Sequence, residues 1–151
     1  MDFQIRSATD ADAPAISRVI IGTLRESNAQ DYSSEIIDHV EPSFSPPAIL
    51  NFLTLRQVLV ATVDNHVVAT ASLDLDTVRS VFVAPPYQGA GIGRRLMTSI
   101  ESLAIESSVN LLRVPSSITA EGFYLSIGFT KTRDEYHGAE RTIVMEKRLD
   151  R

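Results

Sequence analysis

Apolar residues recur along this chain at two periods, and each change of period marks the border of an element. Phe3 to Ser7 alternates apolar and polar side chains, which predicts a first strand. Thr9-x-x-Asp12 then predicts a helix start, with Ile16, Val19, Ile20 and Leu24 on one stripe. Pro14 fits only near that helix's beginning, where its missing N–H has no intrahelical partner to lose. From Ser27 to Pro47 short apolar pieces are interrupted by Asp31-Tyr32-Ser33-Ser34, Glu41-Pro42 and Ser45-Pro46-Pro47. Broken helix and loop are expected there, followed by a helical piece from Ala48 to Leu55.

The period then shortens. Val58 to Val63 and Val67 to Leu75 are β-rich runs joined at Asp64-Asn65, a tight-hairpin signal, and Val78 to Val83 supplies the next strand of an antiparallel meander. Beyond a glycine-rich turn, Ile92, Leu96, Ile100 and Leu103 share one helical face, widened by Met97 and Ala104, so this helix must pack on a sheet. Leu111 to Val114 reads as a short buried strand, and Thr119 to Ile127 as a short helix ended by Gly128. Phe129 to Arg133 and Thr142 to Lys147 read as closing strands. The order β-α-α-β-β-β-α-β-α-β-β describes a mixed α/β chain.

Length and composition narrow the classes of function. A chain of 151 residues, 44% apolar and 22% charged, is expected to form one domain spanning 1–151 with a single core. No apolar run approaches the roughly 18 residues of a membrane span, and Met1-Asp2-Phe3-Gln4 lacks an export signal, so no membrane partner and a cytoplasmic location are expected. With no cysteine, disulfides, thiolate metal sites and a cysteine acyl-enzyme are excluded, and no G-x-S-x-G elbow presents a serine. His39, His66 and His137 show no metal-binding spacing. The net charge of −5 argues against nucleic acid and favours a cationic acceptor.

The turn before the long helix carries the chemistry. Gly89, Gly91 and Gly93 stand at alternate positions, so successive N–H groups could point at one phosphate at the positive end of the helix dipole. A dinucleotide fingerprint begun at Gly89 would need glycine where Arg94 stands, and a nucleotide P-loop would need Gly-Lys-Ser/Thr where Gly93-Arg94-Arg95 stands. Gln88-Gly-x-Gly-x-Gly after an apolar strand and Pro85 instead resembles the pyrophosphate turn of the GNAT superfamily of acyl-CoA-dependent N-acetyltransferases. A second stretch, Ser116 to Phe129, is similar to that superfamily's later motif, in which a short helix carries Phe123-Tyr124 and ends in Gly128-Phe129.

The resemblance implies a largely antiparallel twisted sheet, flanked by helices and splayed between its fourth and fifth strands. It implies acetyl-CoA as cosubstrate and no metal, with Val81, Phe82 and Val83 along pantetheine and Gln88, Gly89, Ala90, Gly91, Ile92, Gly93 and Arg94 around the diphosphate. Ser117 stands where relatives often have a cofactor-touching asparagine, and Tyr124 matches the phenol that protonates the leaving thiolate. Relatives often carry a glutamate where this chain has Thr77. Asp76 and Glu26 are the base candidates, with Asp74, Asp31, Glu35 and a water chain as rivals. Arg94 and Arg95 either pair with phosphates or form an exposed face. The cluster Asp134 to Arg141 is expected as a charged loop between the last strands, near the acceptor. The implied reaction moves acetyl directly to a small-molecule or protein amine in a ternary complex, with a homodimer possible. A non-catalytic acyl-CoA-binding module on the same fold is the alternative.

Overall fold

The computed structural model describes residues 2–150. Seven strands form one sheet: β1 (Gln4–Ser7), β2 (Gln57–Val63), β3 (His66–Asp74), β4 (Thr77–Val83), β5 (Leu111–Ser117), β6 (Thr130–His137) and β7 (Glu140–Arg148), in the spatial order β1-β2-β3-β4-β5-β7-β6. The helices are α1 (Ala13–Glu26), α2 (Ser34–Val40), α3 (Pro46–Leu55), α4 (Ile92–Glu106) and α5 (Glu121–Ser126). Every neighbouring pair of strands is antiparallel except β4 and β5.

Helices cover both faces. On one, Leu96, Met97 and Ile100 of α4 join Ala71, Leu73, Leu112, Ile143 and Phe129 in a fully buried core. On the other, Ile16 and Ile20 of α1 and Ile49 of α3 close over Val60, with Phe82 packed at the margin. The residues of β3 from Val68 to Leu73 are buried without alternation, as befits a strand covered on both sides. Asp64 and Asn65 both adopt positive φ, 50° and 64°, as a two-residue hairpin turn of the primed type demands.

Pro115 stands where the sheet opens. The β4–β5 pairing has a single register point, Thr77 opposite Arg113, with the Arg113 N–H donating to the Asp76 carbonyl at 2.9 Å. Main-chain donors alternate sides along a strand, so the next donor aimed at β4 would be that of residue 115. Proline has none, and the parallel ladder stops there. The sequence pattern predicts a strand ending at Val114; β5 instead continues to Ser117, because its other edge pairs with β7 throughout.

The cluster Asp134 to Arg141 is not a loop. β6 and β7 run through it to a tight turn at Gly138, whose φ is +64°. β6 lies at the sheet edge and is almost entirely exposed, so its charges cost no desolvation and its hydropathy carries no strand period. Arg141 meets Asp134 across the strands at 2.9 Å.

Candidate active site

Where β4 and β5 part, a cleft of about 910 Å³ opens between the end of α1, the α2–α3 segment, the two separated strands and α5. Val81, Phe82 and Val83 line one wall, while Val114 to Ser117 line the other. The edges that face each other lack a strand partner, so their main-chain groups are available to an extended ligand.

At one end stands the glycine turn. Gly89 and Gly91 have φ of +79° and +84°, conformations that an L side chain resists, and a Cβ at either would meet nothing within 4 Å. Gly91 caps α4, and the first helical bond runs from the Arg95 N–H to the Gly91 carbonyl at 3.1 Å. Among the described residues, the six N–H groups from Gly89 to Arg94 donate to no acceptor in the chain. Such a run at a helix start is an anion receptor, with the helix dipole adding to it. Gly93 has a second duty, since a Cβ there would stand 3.4 Å from the Phe123 ring and 3.6 Å from Val83 Cγ2, where α4 approaches α5 and β4. The Gln88 side chain ties the turn down by donating to the Val83 carbonyl at 2.9 Å and the Ser27 hydroxyl at 3.2 Å. Arg94 lines the cleft, whereas the Arg95 guanidinium lies 5.8 Å from the Phe3 ring centroid.

Tyr124 projects from α5 to the cleft wall, 3% exposed, with its ring edge-on to Phe123 and Phe129. Burial pushes its phenol further above the ordinary range, so the hydroxyl stays protonated. Its hydroxyl has no hydrogen-bond partner among the described residues, which leaves it free to donate to a ligand. Ser117 also lines the cleft, but its hydroxyl oxygen accepts the Ala120 N–H at 3.1 Å and so caps the turn into α5.

The base candidates fall elsewhere. Glu26 is exposed at the end of α1, and Asp76 sits at the β3–β4 connection 3.8 Å from Arg113; neither lines the cleft. Asp74, Asp31 and Glu35 are not in its lining either: Asp74 pairs with Arg79 at 3.4 Å and Asp31 accepts from Thr119 at 2.7 Å. Among the described lining residues the titratable groups suited to taking a proton are His137 and Glu140, on either side of the last hairpin turn. The extension of β6 and β7 beyond their expected bounds brings both to the mouth.

Two lining residues carried no signal in the sequence. Tyr32, in an irregular polar stretch, donates to the Arg141 carbonyl at 2.6 Å and accepts the Ile118 N–H at 2.8 Å, so one hydroxyl ties the α1–α2 segment to both β7 and the end of β5. Burial raises its pKa. Arg56, immediately after α3, enters the opposite end of the cleft. The whole chain is acidic, yet the lining holds Arg56, Arg79 and Arg94 against the single carboxylate Glu140.

A seven-stranded mixed sheet, opened beside its one parallel pair and covered by helices on both faces, is the architecture of an acyl-CoA-dependent N-acetyltransferase. Residues 28–149 match the family described as the acetyltransferase (GNAT) domain, and the chain belongs to that family as an acyltransferase. It is 29% identical over 141 residues to an uncharacterized N-acetyltransferase of Chlorobaculum tepidum, covering 89% of this chain and 80% of that one. Among solved structures it resembles a GCN5-related N-acetyltransferase from Rhodopseudomonas palustris, with a TM-score of 0.93 at 22% identity, covering 99% of this chain and 97% of that one. The PaiA N-acetyltransferase of Thermoplasma acidophilum, crystallised with coenzyme A, gives a TM-score of 0.83 at 20% identity, covering 99% of this chain and 100% of that one.

Proposed function

We propose that this protein transfers an acetyl group from acetyl-CoA directly to a primary amine while both lie in the one cleft. The observation that carries the reading is the run of six unpartnered N–H groups from Gly89 to Arg94 beside the unpaired edge of β4. These fit a diphosphate followed by an amide-bearing arm, and the similar PaiA protein was crystallised with coenzyme A. Acetyl-CoA supplies a carbonyl carbon activated by a thiolate leaving group.

In this reading Gly89 to Arg94 grip the diphosphate, and Val81, Phe82 and Val83 align the pantetheine amides as an added strand. Tyr124 donates its proton or a hydrogen bond to the departing sulfur, a role suited to a phenol kept neutral by burial. The reaction forms one C–N bond and breaks one C–S bond; the amine gives up a proton and the thiolate gains one. An alkyl ammonium with a pKa near 10.4 is about 99.9% protonated at neutral pH, so the acceptor must first lose a proton. His137 and Glu140 stand at the mouth to accept it. With no cysteine in the chain, no thiol acyl-enzyme intervenes.

Calorimetry with CoA, joined to thiol-release assays over an amine panel, tests the reading on wild type and Tyr124→Phe. The variant should bind CoA within about twofold of wild type and lose about 10²-fold in kcat. CoA binding without thiol release from any amine would leave an acyl-CoA-binding module, and unchanged turnover would remove Tyr124 from the reaction.

A further inference from the structure

The end of the cleft away from the glycine turn combines an apolar chamber with one arginine that makes no ion pair among the described residues. Phe44 meets Phe52 and Phe82 edge-on, with ring centroids 6.2 and 5.8 Å apart, and Ile36, Ile37 and Val40 of α2 complete the lining. Arg56 borders it, half-buried, its guanidinium 3.9 Å from the centroid of the Phe52 ring. A guanidinium has five N–H donors. The side chain of Arg56 makes one hydrogen bond, from Nη1 to Ser80 Oγ at 3.3 Å, and no carboxylate pairs with it among the described residues. The one nearby carboxylate, Asp74, pairs with Arg79 at 3.4 Å and reaches Arg56 only as a more distant attraction.

The backbone here is arranged for that contact. Ser80 sits where the β3–β4 register shifts, in a left-handed conformation with φ of +55° that an L side chain resists. Bulges of this kind re-aim side chains, and this one presents the Ser80 hydroxyl to Arg56 while Ser72 Oγ donates to the Arg79 carbonyl at 2.7 Å. Ser80 directly precedes Val81, so the guanidinium lies beside the stretch assigned above to pantetheine. Desolvation, followed by repulsion from Arg79, lowers the Arg56 pKa, against a smaller opposing attraction from Asp74.

We infer that the acceptor amine carries a carboxylate, bound by Arg56, on an apolar body packed among Phe44, Phe52 and Phe82, as in an α-amino acid with a large apolar side chain. This deepens the acetyltransferase reading and rests on it. A planar fork with free donors matches a carboxylate in bidentate geometry, and the half-buried setting strengthens the pairing. The net charge of the chain favours a cationic acceptor, whereas this inference is drawn from the local charge of the cleft.

The test compares amines that differ only in the carboxylate: L-phenylalanine with phenethylamine, and L-leucine with isopentylamine, with spermidine as a polycation. Wild type should show kcat/KM at least tenfold higher for each amino acid than for its decarboxylated partner. Arg56→Gln should abolish that preference through KM for the amino acid and leave the plain amine within about threefold; Arg56→Lys should restore part of it. A merely structural arginine would lower both members of a pair together, and that result would overturn the inference. Turnover of spermidine or phenethylamine with L-phenylalanine inert would overturn it while leaving the acetyltransferase intact. If no amine reacts though CoA binds, calorimetry of N-acetyl-L-phenylalanine on the CoA-loaded protein decides, with binding at least tenfold weaker in Arg56→Gln expected and no binding to wild type refuting. Absence of both CoA binding and thiol release would end the parent reading and this one with it.

Discussion

Replacing Gly91 by alanine separates the cost of a strained helix cap from the cost of a blocked anion site. Gly91 has φ of +84° and ψ of 4°, so an L side chain there loses about 1–2 kcal/mol. No atom lies within 4 Å of the added Cβ, so no steric penalty joins that figure in the free protein. For a chain of this length the strain corresponds to a fall in Tm of about 2–8 °C. The methyl group enters the open space in front of the unpartnered amides. Losing one hydrogen bond to a charged group costs about 1.5–3 kcal/mol, hence CoA affinity should drop about ten- to a hundredfold. Thermal melts and calorimetry measure the two effects separately. The decisive control is S-acetylpantetheine, which keeps the thioester and lacks the diphosphate: Gly91→Ala should react with it at the wild-type rate, within about twofold. Unaltered CoA affinity, or an equal loss with the short thioester, would refute the assignment of this turn to the diphosphate.

Three further outcomes follow from particular contacts. Asp12 accepts both Arg6 Nη groups, at 2.8 and 2.9 Å, and the Thr9 N–H at 2.8 Å, which lowers its pKa to about 2; a lowered carboxylate stabilises the fold above its unfolded pKa near 3.9 and loses that contribution as the pH falls through about 2. Asp12→Asn should therefore lower stability by about 1 kcal/mol at neutral pH, Arg6 being open to solvent, and parallel urea-midpoint curves for the two proteins between pH 5 and 2 would refute this. Tyr32→Phe leaves the Ile118 N–H and the Arg141 carbonyl without the shared hydroxyl, at a cost of about 1–3 kcal/mol, and should speed exchange of the Ile118 amide; unchanged exchange would show that the tie is dispensable. The double variant His137→Gln/Glu140→Gln should lower kcat/KM by about 10²-fold and flatten its pH profile, whereas an intact profile would assign proton uptake to solvent.

Much of this arrangement was legible in the chain because burial writes a period into it. The stripes of α1 and α4, the Asp64-Asn65 hairpin and the glycine turn each left a local mark that survived into the structure. What escaped notice depends on contacts between distant segments or on structure without burial. β6 is almost wholly exposed, so no alternation betrays it. Tyr32 acquires its partners 86 and 109 residues away, and nothing near it in sequence announces them. Arg56 looked like any polar residue after a helix until the β4 bulge brought Ser80 to it. Glu26 and Asp76 failed to reach the cleft for the converse reason: adjacency in sequence to a functional strand or helix does not fix the direction of a side chain.

The opening of the sheet is written into covalent structure, since residue 115 is an imino acid and cannot supply the next rung. A seam of that kind stays unzipped whether or not anything occupies it. An extended ligand can therefore enter and leave without melting and re-forming main-chain bonds, and the binding energy is not diverted into prising strands apart. Preorganisation here draws on that missing hydrogen on one strand and on the Ser80 bulge on the other.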